Sequence, residues 1–267
     1  MKTLLKENIG EHNAVGLARP HAADDAMTDL KKTARITGLL YLGLAIASAL
    51  GFLLVRPELH VDGNPAATAK NLVDHVGLAR LGVALELGIV LTQALAAVWF
   101  YKLFRALNSF AAGSLAAFGL VNAVAILSSA VFLATAVAVS GDAGLAPGGD
   151  VAATVQLLYE LSSKVWGVGA LFFGLWLIPM GYVAATSRRM PIGLGWTLMI
   201  GGVGYVLNTF ASNGFAHAPS WITNGLSLPA TVGELWMIGY LLFVGLRPPM
   251  DSVSDSRQGG DHNYGAR

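Results

Sequence analysis

The chain contains no cysteine, which removes disulfides, iron–sulfur clusters, thiolate zinc sites and cysteine nucleophiles together. It leaves the redox compartment open. Charge is nearly as scarce. Charged residues make up 12% of 267, about half the ~25% of an ordinary soluble domain. That is too few to clothe a water-facing surface, so a soluble globular protein is excluded. Hydrophobic residues reach 54% and the mean hydropathy is +0.58, which excludes a disordered chain. The formal net charge of +1 provides no field to attract nucleic acid, and no nucleic-acid partner is expected. Familiar catalytic patterns are missing as well. The six histidines, at 12, 21, 60, 75, 217 and 262, all fall outside the long apolar runs. Haem ligation inside a bundle and an HExxH zinc site therefore have no support. Gly113-Ser114 lacks the flanking pattern of a nucleophilic serine, and there is no phosphate-binding glycine loop. No catalytic residue, metal or cofactor is expected.

What the chain has instead is apolar length. Six runs, at about 36–55, 81–101, 110–139, 165–186, 192–210 and 229–246, each approach the ~20 residues a helix needs to cross a bilayer. Backbone inside lipid must satisfy its own hydrogen bonds, so these runs read as helices. The expected fold class is all-α: a polytopic membrane protein with six transmembrane helices. It divides into a disordered tail over 1–30, a membrane domain over 31–247 and a second disordered tail over 248–267. The first thirty residues hold no apolar run of secretory-leader type. Met27 shortly precedes the patterned region, and residues 1–26 read as a dispensable extension. Lys31, Lys32, Arg35, Lys102, Arg105, Arg188, Arg189 and Arg247 flank one set of span ends, against Arg56, Lys70, Arg80 and Lys164 on the other. By the positive-inside rule the first set, with both termini, is cytoplasmic.

The connections on the other side carry helix-start signals. Asn64-Pro65 places an N-cap before proline at the first helical position, and Asp150 plays the same part before Val151. Short outer helices are thus expected to lead into spans two and four. Pro229 reads as the opening of span six. Ala-Ala-Thr recurs at 66–68 and 152–154, consistent with a repeated hairpin or with coincidence in an alanine-rich chain.

The chemistry-bearing residues are acids inside apolar runs. Glu86 lies about 9 Å past Arg80, and Glu234 about 7.5 Å past Pro229, at the helical rise. Such carboxylates are costly in lipid and face the bundle interior or a cavity. Glu86 and Glu234, with Glu160 and Arg80 at the span mouths, form a candidate outward-facing pocket. Gln93 extends the Glu86 face two turns inward, and Trp236 follows Glu234 as a candidate aromatic wall. The competing reading is a structural ion pair. Asn122 and Ser129 form a second polar stripe, suited to hydrogen bonding between helices. Gly167, Gly174 and Gly181 recur every seven residues and read as a packing stripe, pairing spans four and five in a tight hairpin. Trp166 reads as an interface anchor.

Several phrases share their order with one family. Lys32-Thr33-Ala34-Arg35-Ile36-Thr37-Gly38-Leu39-Leu40-Tyr41 and Arg80-Leu81-Gly82 followed by Glu86 resemble the bacterial domain-of-unknown-function 4386 family. So do Phe172-Phe173-Gly174-Leu175, Gly181-Tyr182, Met190-Pro191, Leu194-Gly195, Gly204-Tyr205, Gly233-Glu234 and Trp236. The resemblance spans about residues 31–247. It departs after Pro191, where Ile192 stands in place of a basic residue. It implies a multi-span protein of the bacterial inner membrane and no established activity.

Three functional readings follow. The first is a non-enzymatic membrane protein that binds or moves a small or lipidic ligand through the outer pocket, with membrane lipids as partners. The second is a structural or regulatory membrane protein whose acids lock the bundle. The third is an intramembrane enzyme using Glu86 and Glu234 as acid and base. Oligomeric state is left open.

Overall fold

The computed structural model describes residues 27–214 and 220–247. The sequence readings of both tails, including the extension over 1–26, therefore fall largely outside the described residues. Within them the chain is helical. Helix α1 runs Met27–Leu59, so it starts inside the stretch assigned to the N-terminal tail. Next come α2 (Pro65–Asp74), α3 (Val76–Phe104), α4 (Ser109–Gly141), α5 (Val151–Thr186), α6 (Ile192–Gly214) and α7 (Ser220–Phe243). No strand occurs among the described residues.

Five of these helices, α1 and α3 to α6, are long and apolar enough to cross a membrane. In α7 the apolar stretch is shorter, Ser227–Phe243. The outer surface fits a lipid solvent: Leu53, Leu91, Val124, Phe210 and Leu235 are exposed, while Glu86, Gln93, Asn122, Ser129 and Ser162 are buried. An apolar coat over a core that buries several polar side chains suits lipid as the solvent.

The caps explain the helix starts. The Asn64 side chain accepts from Ala67 N at 3.0 Å, and Asp150 accepts from Ala153 N at 2.9 Å. Each quiets one of the orphan N–H groups that every helix start leaves. The two Ala-Ala-Thr phrases thus occupy equivalent positions behind their caps. Their continuations differ. α2 ends at Asp74, and His75 at φ −118° and ψ 41° breaks it from α3. α5 runs on for 36 residues without a break. A separate short helix before span four is therefore corrected to a single long one; the apolar run marked only its lipid-crossing part. Pro229 is corrected too. It lies inside α7 rather than at its start.

Consecutive helices pack side by side from α3 to α7. α1 closes the ring, with Gly38 against Leu241 of α7 and Gly43 against Thr92 of α3. One end gathers the α5–α6 turn and the residues after α7, where Arg247 N and the Tyr240 hydroxyl both donate to the Arg189 carbonyl, at 3.1 and 3.0 Å. The other end holds α2, packed on α5.

α5 and α6 form the tightest seam. A methyl group on Gly174 would lie 2.6 Å from the Gly202 carbonyl oxygen, and one on Gly181 2.5 Å from that of Gly195. Backbone meets backbone there, an approach only glycine permits. Gly167 does not belong to this seam. Nothing lies within 4 Å of where its methyl would stand, and the residue is exposed. Gly181→Ala should therefore lower the thermal midpoint in detergent, by roughly 1–3 kcal/mol of stability. Gly167→Ala should hold or raise it, since alanine gains about 0.5–1 kcal/mol in a helix interior. Equal midpoints for the two variants would remove the claim of a backbone-contact seam.

Candidate functional site

Two cavities lie among the described residues. The larger, of about 380 Å³, is lined from all six long helices. α1 contributes Tyr41, Leu44, Ala45 and Ser48; α3 contributes Ile89 and Gln93; α4 contributes Asn122 and Ile126. Trp166, Ala170 and Phe173 come from α5, Tyr205 from α6, and Thr231, Glu234, Leu235 and Ile238 from α7. The volume falls in the range of sites that hold one small organic molecule.

Its polar groups converge from three directions. The Tyr41 hydroxyl donates to Glu234 Oε1 at 2.5 Å, bridging the first helix and the last. Gln93 is 0% exposed, yet neither its amide nitrogen nor its amide oxygen has a hydrogen-bond partner. Asn122 lies on the facing helix, 4% exposed. The aromatic walls are fixed by edge contacts. Tyr41 meets Phe100 at 5.6 Å and 83°, and Phe173 meets Tyr205 at 5.3 Å and 78°.

The smaller cavity, of about 30 Å³, surrounds Glu86 and Arg56. Glu86 is 6% exposed. Its Oε1 accepts from Ser129 Oγ at 3.2 Å and from Trp166 Nε1 at 3.1 Å, and Ser129 shares a 2.8 Å bond with Ser162. Oε2 has no partner. Arg56 Nη2 donates to Ser163 Oγ at 2.6 Å, and its guanidinium lies over the rings of Phe52 and Tyr159. The wall is built by an irregularity. Residues Leu50–Val55 form a π-helical turn, closed by Arg56 N–H donating to the Gly51 carbonyl. The wider turn sets Phe52, Val55 and Arg56 along the pocket.

The sequence-predicted residues thus divide. Glu234 and Gln93 line one cavity, and Glu86 lines the other. The expected equal depth of the two acids rested on Pro229 starting its helix. In the fold, Glu234 lies fourteen residues past Ser220, about 21 Å along α7, while Glu86 lies ten past Val76, about 15 Å along α3. Arg80 is exposed, and the cation beside Glu86 is Arg56. Glu160 is exposed and accepts from Gln156 Nε2 at 3.1 Å, away from both cavities. Trp236 stands 42% exposed, with its ring over Gly193 of α6. Two positions past Glu234 is about 200° round a helix, which carries that ring to the outer face. Trp166, read as an interface anchor, instead holds Glu86 through its N–H and packs edge-on against Phe52 at 4.8 Å.

Tyr41, Trp166 and Arg56 were not read as site residues in the sequence. The first two carried a usable signal: a buried phenol or indole keeps a polar handle that must find a partner, and intramembrane acids are the strongest acceptors in the chain.

The bonds to Glu86 tie α3 to α4 and α5. Glu86→Gln keeps an acceptor for Trp166 and Ser129 and should stay near wild-type stability in detergent. Glu86→Leu strands both donors and should cost about 1–3 kcal/mol. Thermal unfolding followed by circular dichroism checks this, and a silent Glu86→Leu would mean that the network does not hold the helices.

No curated protein and no solved structure matches the chain. One family profile does, over residues 36–245. That range includes each residue that lines the larger cavity, from Tyr41 to Ile238. The chain therefore belongs to the family described as Domain of unknown function (DUF4386).

Proposed function

We propose that this chain is a six-span membrane protein that binds a small organic ligand in the cavity between its helices. The carrying observation is Gln93, fully buried with both amide groups unpartnered against a cavity of about 380 Å³. Leaving a buried amide without partners costs about 1–3 kcal/mol. Natural cores keep such groups where a ligand or water completes them. The second reading, a purely structural role for the acids, is favoured at Glu86 by its bonds to two neighbouring helices. It does not extend to Gln93, which bonds to nothing.

The sixth span is α7, whose 24 residues cover about 36 Å at the helical rise, against a ~30 Å hydrocarbon core. Its place in the helix ring and its four cavity residues support that count. The basic turns at Arg105 and Arg188-Arg189 are cytoplasmic in this reading, as are both termini, in a bacterial inner membrane with lipids as surrounding partners. The end that carries Arg56 faces outward.

Gln93→Leu separates function from folding. It should raise the thermal midpoint of ligand-free protein, by about 1–3 kcal/mol of stability, because it removes an unsatisfied amide. It should also abolish the small molecule that solvent extraction and mass spectrometry recover from wild-type protein purified from its own membrane. A lowered midpoint would mean that the amide is satisfied within the protein, and the proposal fails. Topology is checked by reporter fusions. A cytoplasmic reporter should be active at Arg105 and inactive at Asp142; activity at both would overturn the six-span arrangement.

A further inference from the structure

We propose that the larger cavity selects a free organic cation, a protonated amine on a compact apolar body. This rests on the ligand-binding reading above and adds the ligand's charge. Among the lining residues Glu234 is the one acid, and no lysine, arginine or histidine stands with it. Tyr41 occupies only Oε1, so Oε2 remains for a donor from the cavity. Gln93 lines the same cavity, and its amide is unpartnered.

The walls suit the same ligand. Tyr41, Trp166, Phe173 and Tyr205 bring four aromatic rings to one cavity. Ring faces carry negative quadrupole charge and attract ammonium groups once both are out of water. Their edge contacts hold them in place before a ligand arrives, so little ordering is left to pay for on binding. Ile89, Ile126 and Ile238 provide apolar surface for the remainder of the molecule.

Other charges fit less well. An anion would meet the Glu234 carboxylate with no base to offset it. A neutral ligand of the same shape could satisfy Gln93 but would leave the carboxylate without a counter-charge in a low-dielectric site. A zwitterionic phospholipid could offer its ammonium, but its phosphate would find no cation among the lining residues.

The test uses full-length protein in nanodiscs of phosphatidylglycerol, with empty discs as the blank, and isothermal titration calorimetry. Three probes share one shape: 4-phenylbutylammonium, 4-phenylbutanol and 4-phenylbutanoate. The ammonium probe should bind about tenfold or more tightly than the alcohol, and the carboxylate should not bind. Glu234→Gln should bring the ammonium probe down to the alcohol's affinity and leave the alcohol unchanged. Glu234→Asp retains the carboxylate and should retain the preference, so a folding defect in Glu234→Gln does not decide the outcome. Equal binding of alcohol and ammonium in wild type overturns the cation assignment while small-molecule binding stands. Absence of binding by all three overturns both. Competition by added phosphatidylethanolamine would overturn the free amine in favour of a lipid headgroup.

Discussion

The hydrogen bond from Tyr41 to Glu234 is the contact on which the bundle's interior depends. It joins the first long helix to the last, and so turns a row of sequentially packed helices into a closed ring around a space. In a membrane, packing apolar faces together gains little over leaving them in lipid. Polar side chains inside the spans are therefore what distinguish inside from outside. Glu234 could not face lipid without cost, and its partner fixes the rotation of α7 against α1. With α7 so turned, Thr231, Glu234, Leu235 and Ile238 come to the cavity, and Trp236 goes to the outer face.

Helix spacing around the ring is uneven, and residue size accounts for it. Where α5 meets α6, glycine sits against glycine at Gly174–Gly202 and Gly181–Gly195, and the backbones touch. A similar approach joins α6 to α7, where a methyl on Gly201 would lie 2.4 Å from the Ala230 backbone. On the neighbouring face of α5, Trp166, Ala170 and Phe173 line the larger cavity, and edge contacts with Phe52 and Tyr205 hold the two rings in place.

Much of this was legible from spacing, and what was not has definite causes. Lipid-crossing helices announce themselves because an apolar run of that length has few other uses. The caps at Asn64 and Asp150 were readable because the side chain acts on its own backbone, three residues on. Gln93 and Glu86, seven apart, fall on one buried face as the period requires. The start of α7 was misread because proline at 229 looks like a helix start, whereas the helix runs through it from Ser220. The partners of the acids were illegible for a different reason. Tyr41 is 193 residues from Glu234 and Trp166 is 80 from Glu86, and a single chain carries no local sign of such pairings. Gly167 fits the seven-residue stripe yet touches nothing, since periodicity fixes a face without saying how far the neighbouring helix follows it.

The two carboxylates, similar in sequence, end in unlike settings. Glu86 receives two hydrogen bonds on one oxygen, from helices on either side, within a space of about 30 Å³. That is room for a water, which needs at least about 10–15 Å³ of such space. Glu234 receives one bond and faces a space over ten times larger, beside an amide that nothing satisfies. Trp166 stands between them. Its N–H belongs to Glu86 and its ring to the wall of the larger cavity. A single side chain is thus fixed from one side by a buried acid and exposed on the other to whatever the cavity holds. Through that bond Glu86 fixes one wall of the larger cavity, which Glu234 and Gln93 also line.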